Sequence, residues 1–397
     1  MIFNSLGSNY NFEFVIKSLF SFPSKKDVIK LKSLLAKKYG GDTTFVYKGR
    51  DAIKMALEIL GLPKGTKVGV NGLTCYVVNQ AITEAGYTPV YLDIGDTDLN
   101  FDIKNLEKHT DIKVLIIQNT FGCPMDIVSV KSFCKKHNIV IIEDLAHSAG
   151  STYSDGHEVG TTGDFTALSF SQDKIIDAVS GGALIVRNNK FKEKLGKVNF
   201  TKLPLANIFR DRVYPLLTFK IRFLYSIGIG KAIHFVAKRL HILSEPMGSL
   251  GDIKYYFPTN WHISMALSSL GNLDSQIKHR REIANIYINN LNENILSEGV
   301  IKNCNSSTNI RFPIFIEDRN SLIKHLKKNG IFVSDIWYDA PIAPAKLIYK
   351  TKYNGECPKA EVDGKLILNL PTHINVTKKE AERISAEVNK WLNTHKK

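Results

Sequence analysis

The sequence predicts an α/β protein with a mostly parallel central sheet flanked by helices and a smaller C-terminal α/β domain. Short apolar runs, such as 139–142 and 183–186, read as strands buried on both faces. They alternate with helical patterns at the spacing of parallel strands joined by right-handed crossovers. The strand ends also turn polar. Glu143 and Asp144 close one run, and Ser169 and Ser171 follow another. Open α/β sheets place their ligands at such carboxyl ends.

At 397 residues the chain has room for two domains, set here at 1–258 and 259–397. Apolar residues make up 44% and charged residues 23%, which excludes a disordered or fibrous chain. Cys75, Cys123, Cys134, Cys304 and Cys357 form no close pair. Neither a disulfide framework nor a zinc site is therefore expected, and a reducing cytoplasm fits. The amino end lacks the basic and apolar make-up of a secretion signal. No stretch of 18 uncharged apolar residues exists to cross a membrane. The formal charge of +15 favours an anionic partner, whether nucleic acid, membrane or phosphorylated substrate, without choosing among them.

In chain order, 25–39 reads as a basic helix, the one element expected in the first forty residues. A strand ending near Tyr47 leads through Gly49 into a helix with Ile53, Ala56, Leu57 and Leu60 on one face, closed by the glycine-rich turn 61–65. A strand end, a glycine and a helix start expose backbone N–H groups to an anion. Residues 67–70 form a strand, 71–76 open a helix through 85, and 88–93 return as a strand. A short helix at 104–108, a strand at 113–118, a turn at 119–126 and a helix at 127–137 follow. Strands at 139–142, 165–170 and 183–186 complete the large domain. The stretch 202–241 then carries eight Lys/Arg against one Asp, interleaved with Phe, Tyr, Leu and Ile. That pattern suits either helices packed over the active site or dimer seam, or an interfacial surface for anionic lipid. Beyond it come a long helix through 270–291, strands at 309–316, 331–337 and 367–370, and a helix at 321–329.

Asp144, Ser169 and Lys174 are thus expected around one crevice. A lysine able to lose its proton, a carboxylate and a hydroxyl donor are what pyridoxal phosphate requires. The segments Glu143-Asp144-Leu145-Ala146-His147-Ser148-Ala149-Gly150, Gly160 to Asp164, Ser169 to Lys174 and Gly181-Gly182-Ala183 resemble, in order and spacing, the signature of the DegT/DnrJ/EryC1/StrS sugar aminotransferases.

The resemblance covers roughly 40–197 and 256–395 and implies PLP fold type I. Lys174 would be the Schiff-base lysine, Asp144 the partner of the ring nitrogen, Ser169 a phosphate ligand and His147 a neighbour of the ring. Gly49 and Arg50 would grip the phosphate, with Arg50 in the place of the usual Thr. Cys75 stands where an aromatic stacks on the ring, with Tyr76 next to it. Asn260, opening Asn260-Trp261-His262-Ile263-Ser264, would reach the phosphate of the neighbouring subunit, making the enzyme a homodimer. Asn119, His262 and Ala343 depart from the family's His, Arg and His.

The implied activity is amino transfer, with glutamate as donor, to a nucleotide-linked keto-deoxy sugar for surface polysaccharide or glycan synthesis. Two rivals stand beside it. A sugar dehydratase shares the scaffold but carries His where this chain has Lys174. The other is a regulatory or membrane-surface protein that has lost catalysis. The basic residues match no nucleic-acid-binding motif.

Overall fold

The computed structural model describes residues 1–21, 24–245, 247 and 251–395. Its centre is a sheet of seven strands: β1 (Asp42–Val46), β2 (Lys67–Asn71), β3 (Thr88–Leu92), β4 (Val114–Ile117), β5 (Val140–Asp144), β6 (Phe165–Ser169) and β7 (Gly182–Val186). Their spatial order is β1-β7-β6-β5-β4-β2-β3. Only β7 opposes its neighbours β1 and β6, so the sheet is mostly parallel as expected. The unbroken apolar runs have a direct cause. Val114 and Ile116 of β4 enter one core cluster, while Leu115 and Ile117 enter the other. Both faces are covered, so neither can be polar.

The second unit holds an antiparallel pair, β8 (Phe312–Phe315) and β9 (Ile367–Leu370), with helices Arg319–Lys328 and Lys378–Thr394. The amino end joins it, because Ile2–Phe3 pairs in parallel with Ile331–Phe332. His373 fixes that junction through a 2.8 Å contact from Nε2 to the Phe3 carbonyl, a structural role.

Several boundaries differ from expectation. The helix expected from residue 71 begins at Tyr76, because Thr74–Cys75 pairs with Ile342–Ala343 instead. The strand at 331–337 shrinks to Ile331–Phe332, since the Trp337 N–H bonds the Asn369 side chain at 2.6 Å rather than a strand. The long helix divides at Gly271-Asn272 into Asn260–Gly271 and Leu273–Asn290. Both are poor helix formers. A helix at Phe12–Phe20 was not anticipated. Asn11 caps it by accepting the Phe14 N–H at 2.8 Å. The basic insert is a pair of helices, Leu205–Phe223 and Ile229–Arg239. Among the described residues no helix is long and apolar enough to cross a membrane.

Candidate active site

A cavity of about 120 Å³ opens at the carboxyl ends of β4, β5 and β6, where Gln118, Asp144 and Ser169 reach it. Gly49, Arg50, Cys75, His147 and Lys174 line it as well, so seven of the nine residues singled out in the sequence meet at one place.

The first wall is the start of helix Gly49–Leu60. Asp51 holds that start by accepting the Lys48 N–H at 3.0 Å. Gly49 is required by contact: a Cβ there would lie 2.8 Å from the Ser169 Cβ. The helix start therefore packs against the Ser169 side chain, an anion site in form. Arg50 is buried and donates to Gln80 Oε1 at 3.0 Å and to the Met247 carbonyl. Burial lowers its pKa from the usual arginine value. Beside it, Lys48 donates from Nζ to Ser180 at 3.0 Å. Lys48 and Arg50 also line an adjoining cleft of about 450 Å³, so the two spaces share a basic wall.

Lys174 projects from the loop after β6. Burial depresses its pKa, with the nearby Arg311 charge acting in the same sense, while Cys75 and Asp144 act against it. A lysine in this setting gives up its proton more readily than an exposed one. Its Nζ lies 4.4 Å from the Trp337 ring centroid. Asp144, the last residue of β5, is pushed up to about 6 by burial, although the Ala146 N–H at 3.0 Å and the charge of Lys174 pull it down.

His147 is stacked between Phe121 and Trp337, with centroids at 6.0 and 5.0 Å and planes within 19° and 14°. Burial, then Lys174 and Arg311, hold its pKa well below the usual histidine range, so the ring is neutral. Its Nδ1 accepts the Phe121 N–H at 3.3 Å and lies 3.5 Å from the Tyr338 hydroxyl. The remaining proton therefore belongs on Nε2.

Two sequence candidates are placed elsewhere. Tyr76, the aromatic next to the Cys75 position, is buried in the apolar core. It does not line the cavity. Cys75 is extended and paired with Ala343, whereas Tyr76 is the first helical residue, so the two side chains leave the backbone in different directions. Asn260 opens its helix outside the cavity of its own chain. Its expected role lies in a second copy.

Four further residues belong to the site. Tyr338 lines the cavity from the second unit with φ at +63°, and Trp337 precedes it. Arg311 covers the Trp337 ring at 3.8 Å and donates to Asp335 at 2.7 Å. Gln118 is buried, and its Oε1 has no partner among the described residues. Trp337 closes the strand expected at 331–337, with Tyr338 next to it, and that was their only signal. Gln118 and Arg311 had none beyond their places at a strand end and a strand start.

The sequence model of the DegT/DnrJ/EryC1/StrS aminotransferase family matches residues 32–205 and 253–389. The GDP-perosamine synthase of Escherichia coli O157:H7 is 27% identical over 356 residues, covering 88% of this chain and 85% of that protein. The GDP-perosamine synthase of Caulobacter vibrioides is 25% identical over 346 residues, covering 87% and 84%. Among solved structures, the putative sugar aminotransferase Spr1654 from Streptococcus pneumoniae in its PMP form has a TM-score of 0.73 at 21% identity, with 96% of each chain covered. With the family matched across both units of the fold, the chain belongs to the DegT/DnrJ/EryC1/StrS aminotransferases.

Proposed function

We propose that this chain is a pyridoxal-phosphate-dependent aminotransferase that passes an amino group, with glutamate as donor, to a nucleotide-linked keto sugar. One observation carries the reading: Lys174 and Asp144 line the same small cavity as Ser169 and the Gly49 helix start. The residues suit the cofactor. Gly49 and Ser169 bring a helix start and a hydroxyl together at the cavity, and Gln118 presents a buried amide with an unpartnered oxygen. Asp144 supplies a carboxylate to a cationic ring nitrogen. The sugar half of the reading leans on relatives named as GDP-perosamine synthases.

When bound, the cofactor supplies an aldehyde for amine exchange and a cationic ring that draws electron density from the reacting carbon. The chain supplies the rest. Lys174, favoured in its neutral form by burial, offers Nζ first as a nucleophile and then as the base and acid that moves a proton. Asp144 in its charged form keeps the ring nitrogen protonated. The helix start at Gly49 and Arg50, with Ser169, would hold the phosphate. Neutral His147, which lines the same cavity, would stand beside the cofactor with Nε2–H free to donate. The shared basic wall of the adjoining cleft suits a substrate diphosphate.

The test is direct. Purified protein given the cofactor and glutamate should release 2-oxoglutarate, and Lys174→Ala should abolish this while keeping the fold by circular dichroism. A Lys174→Ala protein that still releases 2-oxoglutarate at the parent rate overturns the reading.

A further inference from the structure

We propose that the helix pair Leu205–Phe223 and Ile229–Arg239, with helix Phe12–Phe20 beside it, docks on the surface of an anionic lipid bilayer. The second helix of the pair is inverted relative to an ordinary surface helix. It buries small residues, Gly230 and Ala237, and turns Ile229, Phe235, Val236 and Leu240 outward. Globular helices do the reverse. The crossing is close enough that a Cβ at Gly230 would lie 2.1 Å from the Ile221 carbonyl oxygen. The inward face therefore has no room for the large side chains.

Outward apolar residues recur on the first helix, on the turn and on helix Phe12–Phe20. Phe223 and Phe235 are 75% and 69% exposed, and Ile227 between the helices is 65% exposed. Phe223 stacks on Phe219 at 6.2 Å, and Phe219 meets Phe12, itself 66% exposed, at 6.3 Å. Lys220, Lys231, Lys238 and Arg239 rim the patch and are all exposed. The single carboxylate between 202 and 241, Asp211, is fully buried and holds His262 at 2.9 Å. The exposed face of the pair is therefore cationic, and on the neighbouring helix the exposed Glu13 is paired with Lys17 at 2.8 Å.

Charge selects the occupant. A second copy would set like charge against like, whereas anionic headgroups offer the opposite sign and acyl chains take up the aromatics. The segments 1–31 and 206–252 also lie outside the matched family regions.

The experiment is sedimentation of the whole chain with vesicles of phosphatidylcholine alone and with phosphatidylglycerol added. Vesicle binding needs no substrate, so its result is independent of amino transfer. The chain should sediment only with the anionic vesicles and be released by salt. The double variants Phe223→Ser/Phe235→Ser and Lys231→Glu/Lys238→Glu should each weaken partition by about tenfold or more. Both pairs are exposed, and circular dichroism verifies the fold. Absence of binding overturns the proposal. So does undiminished binding by the Phe variant, which would mean attraction to any polyanion. A Phe variant that splits an oligomer in analytical ultracentrifugation would show that a second copy occupies the face, and overturns it too.

Discussion

Asp144 keeps its proton up to about pH 6, where an exposed aspartate would have lost it. The sign follows from burial. The neutral form is favoured in the fold, so the stability that proton contributes is present below the ordinary carboxylate range and is lost as pH rises through about 6. Cofactor binding makes the opposite demand, because a cationic ring nitrogen needs the charged carboxylate. Affinity for the cofactor should therefore fall as pH drops below about 6, approaching tenfold per unit through this group alone. Asp144→Asn should bind weakly at every pH and lose that dependence, read by fluorescence titration on both sides of pH 6. An unchanged pH profile in the variant would remove Asp144 from the ring nitrogen. Tyr338 makes a second case. Its positive φ costs about 1–3 kcal/mol for a side chain of this size, so the surroundings must hold it. Tyr338→Phe keeps the ring and removes the hydroxyl 3.5 Å from His147 Nδ1. The expected result is a cofactor affinity several-fold lower at nearly unchanged melting temperature, the loss of about one hydrogen bond. Equal affinity would make the hydroxyl irrelevant to the site.

The loop that carries Lys174 is held by an element with no sequence signal. Asp177 accepts the Asp173 and Val179 N–H groups at 2.9 Å, and also Asn9 at 3.0 Å and Tyr10 at 2.9 Å. Asn9 further donates to the Lys174 carbonyl at 3.1 Å and accepts from Arg280 at 2.8 Å. The amino-terminal arm is thus a clamp between the lysine loop and the second unit. Asn9→Ala should lower stability by about 1–3 kcal/mol and weaken cofactor binding, since buried donors and acceptors lose partners. Urea denaturation and cofactor titration check both, and a variant equal to the parent in each would reduce the arm to packing. The contrast between clamp and sheet explains what was legible. Strands β4 to β7 announce themselves because burial on both faces demands continuous apolar residues, and Asp144 to Lys174 lie on one continuous segment. Asn9 meets Lys174 across 165 positions, through polar contacts that leave no periodicity. Tyr338 and Trp337 enter the site because a strand stops early, which depends on the Asn369 side chain rather than on local propensity. Tyr76 departs from Cys75 for the converse reason: the backbone changes from strand to helix between the two neighbours.

At the scale of the whole molecule, Asn260 lies outside its own chain's cavity, which makes sense if the active unit is a homodimer with each site completed by the other copy. His262 supports the placement. It caps its helix through Thr259 at 2.8 Å and binds Asp211 at 2.9 Å, and Tyr47 donates to the same carboxylate at 2.7 Å. The helix start at Asn260 is thereby fixed to the strand end that leads into Gly49 and Arg50. Burial opposes the charge on Asp211, but the His262 hydrogen bond and the Lys48 charge outweigh it and hold the carboxyl down at about 2. The tether therefore persists at working pH. A shared site makes a prediction that an unshared one does not. Lys174→Ala and Asn260→Ala should each be crippled alone. Unfolded together and refolded, half of the dimers should be mixed, and each mixed dimer should hold one site with Lys174 from one copy and Asn260 from the other. Activity should return to about a quarter of the parent value, as two-fold symmetry requires. If instead both residues serve the same chain's site, the mixture stays as inactive as its components. Glutamate-dependent release of 2-oxoglutarate from the refolded mixture separates the two outcomes.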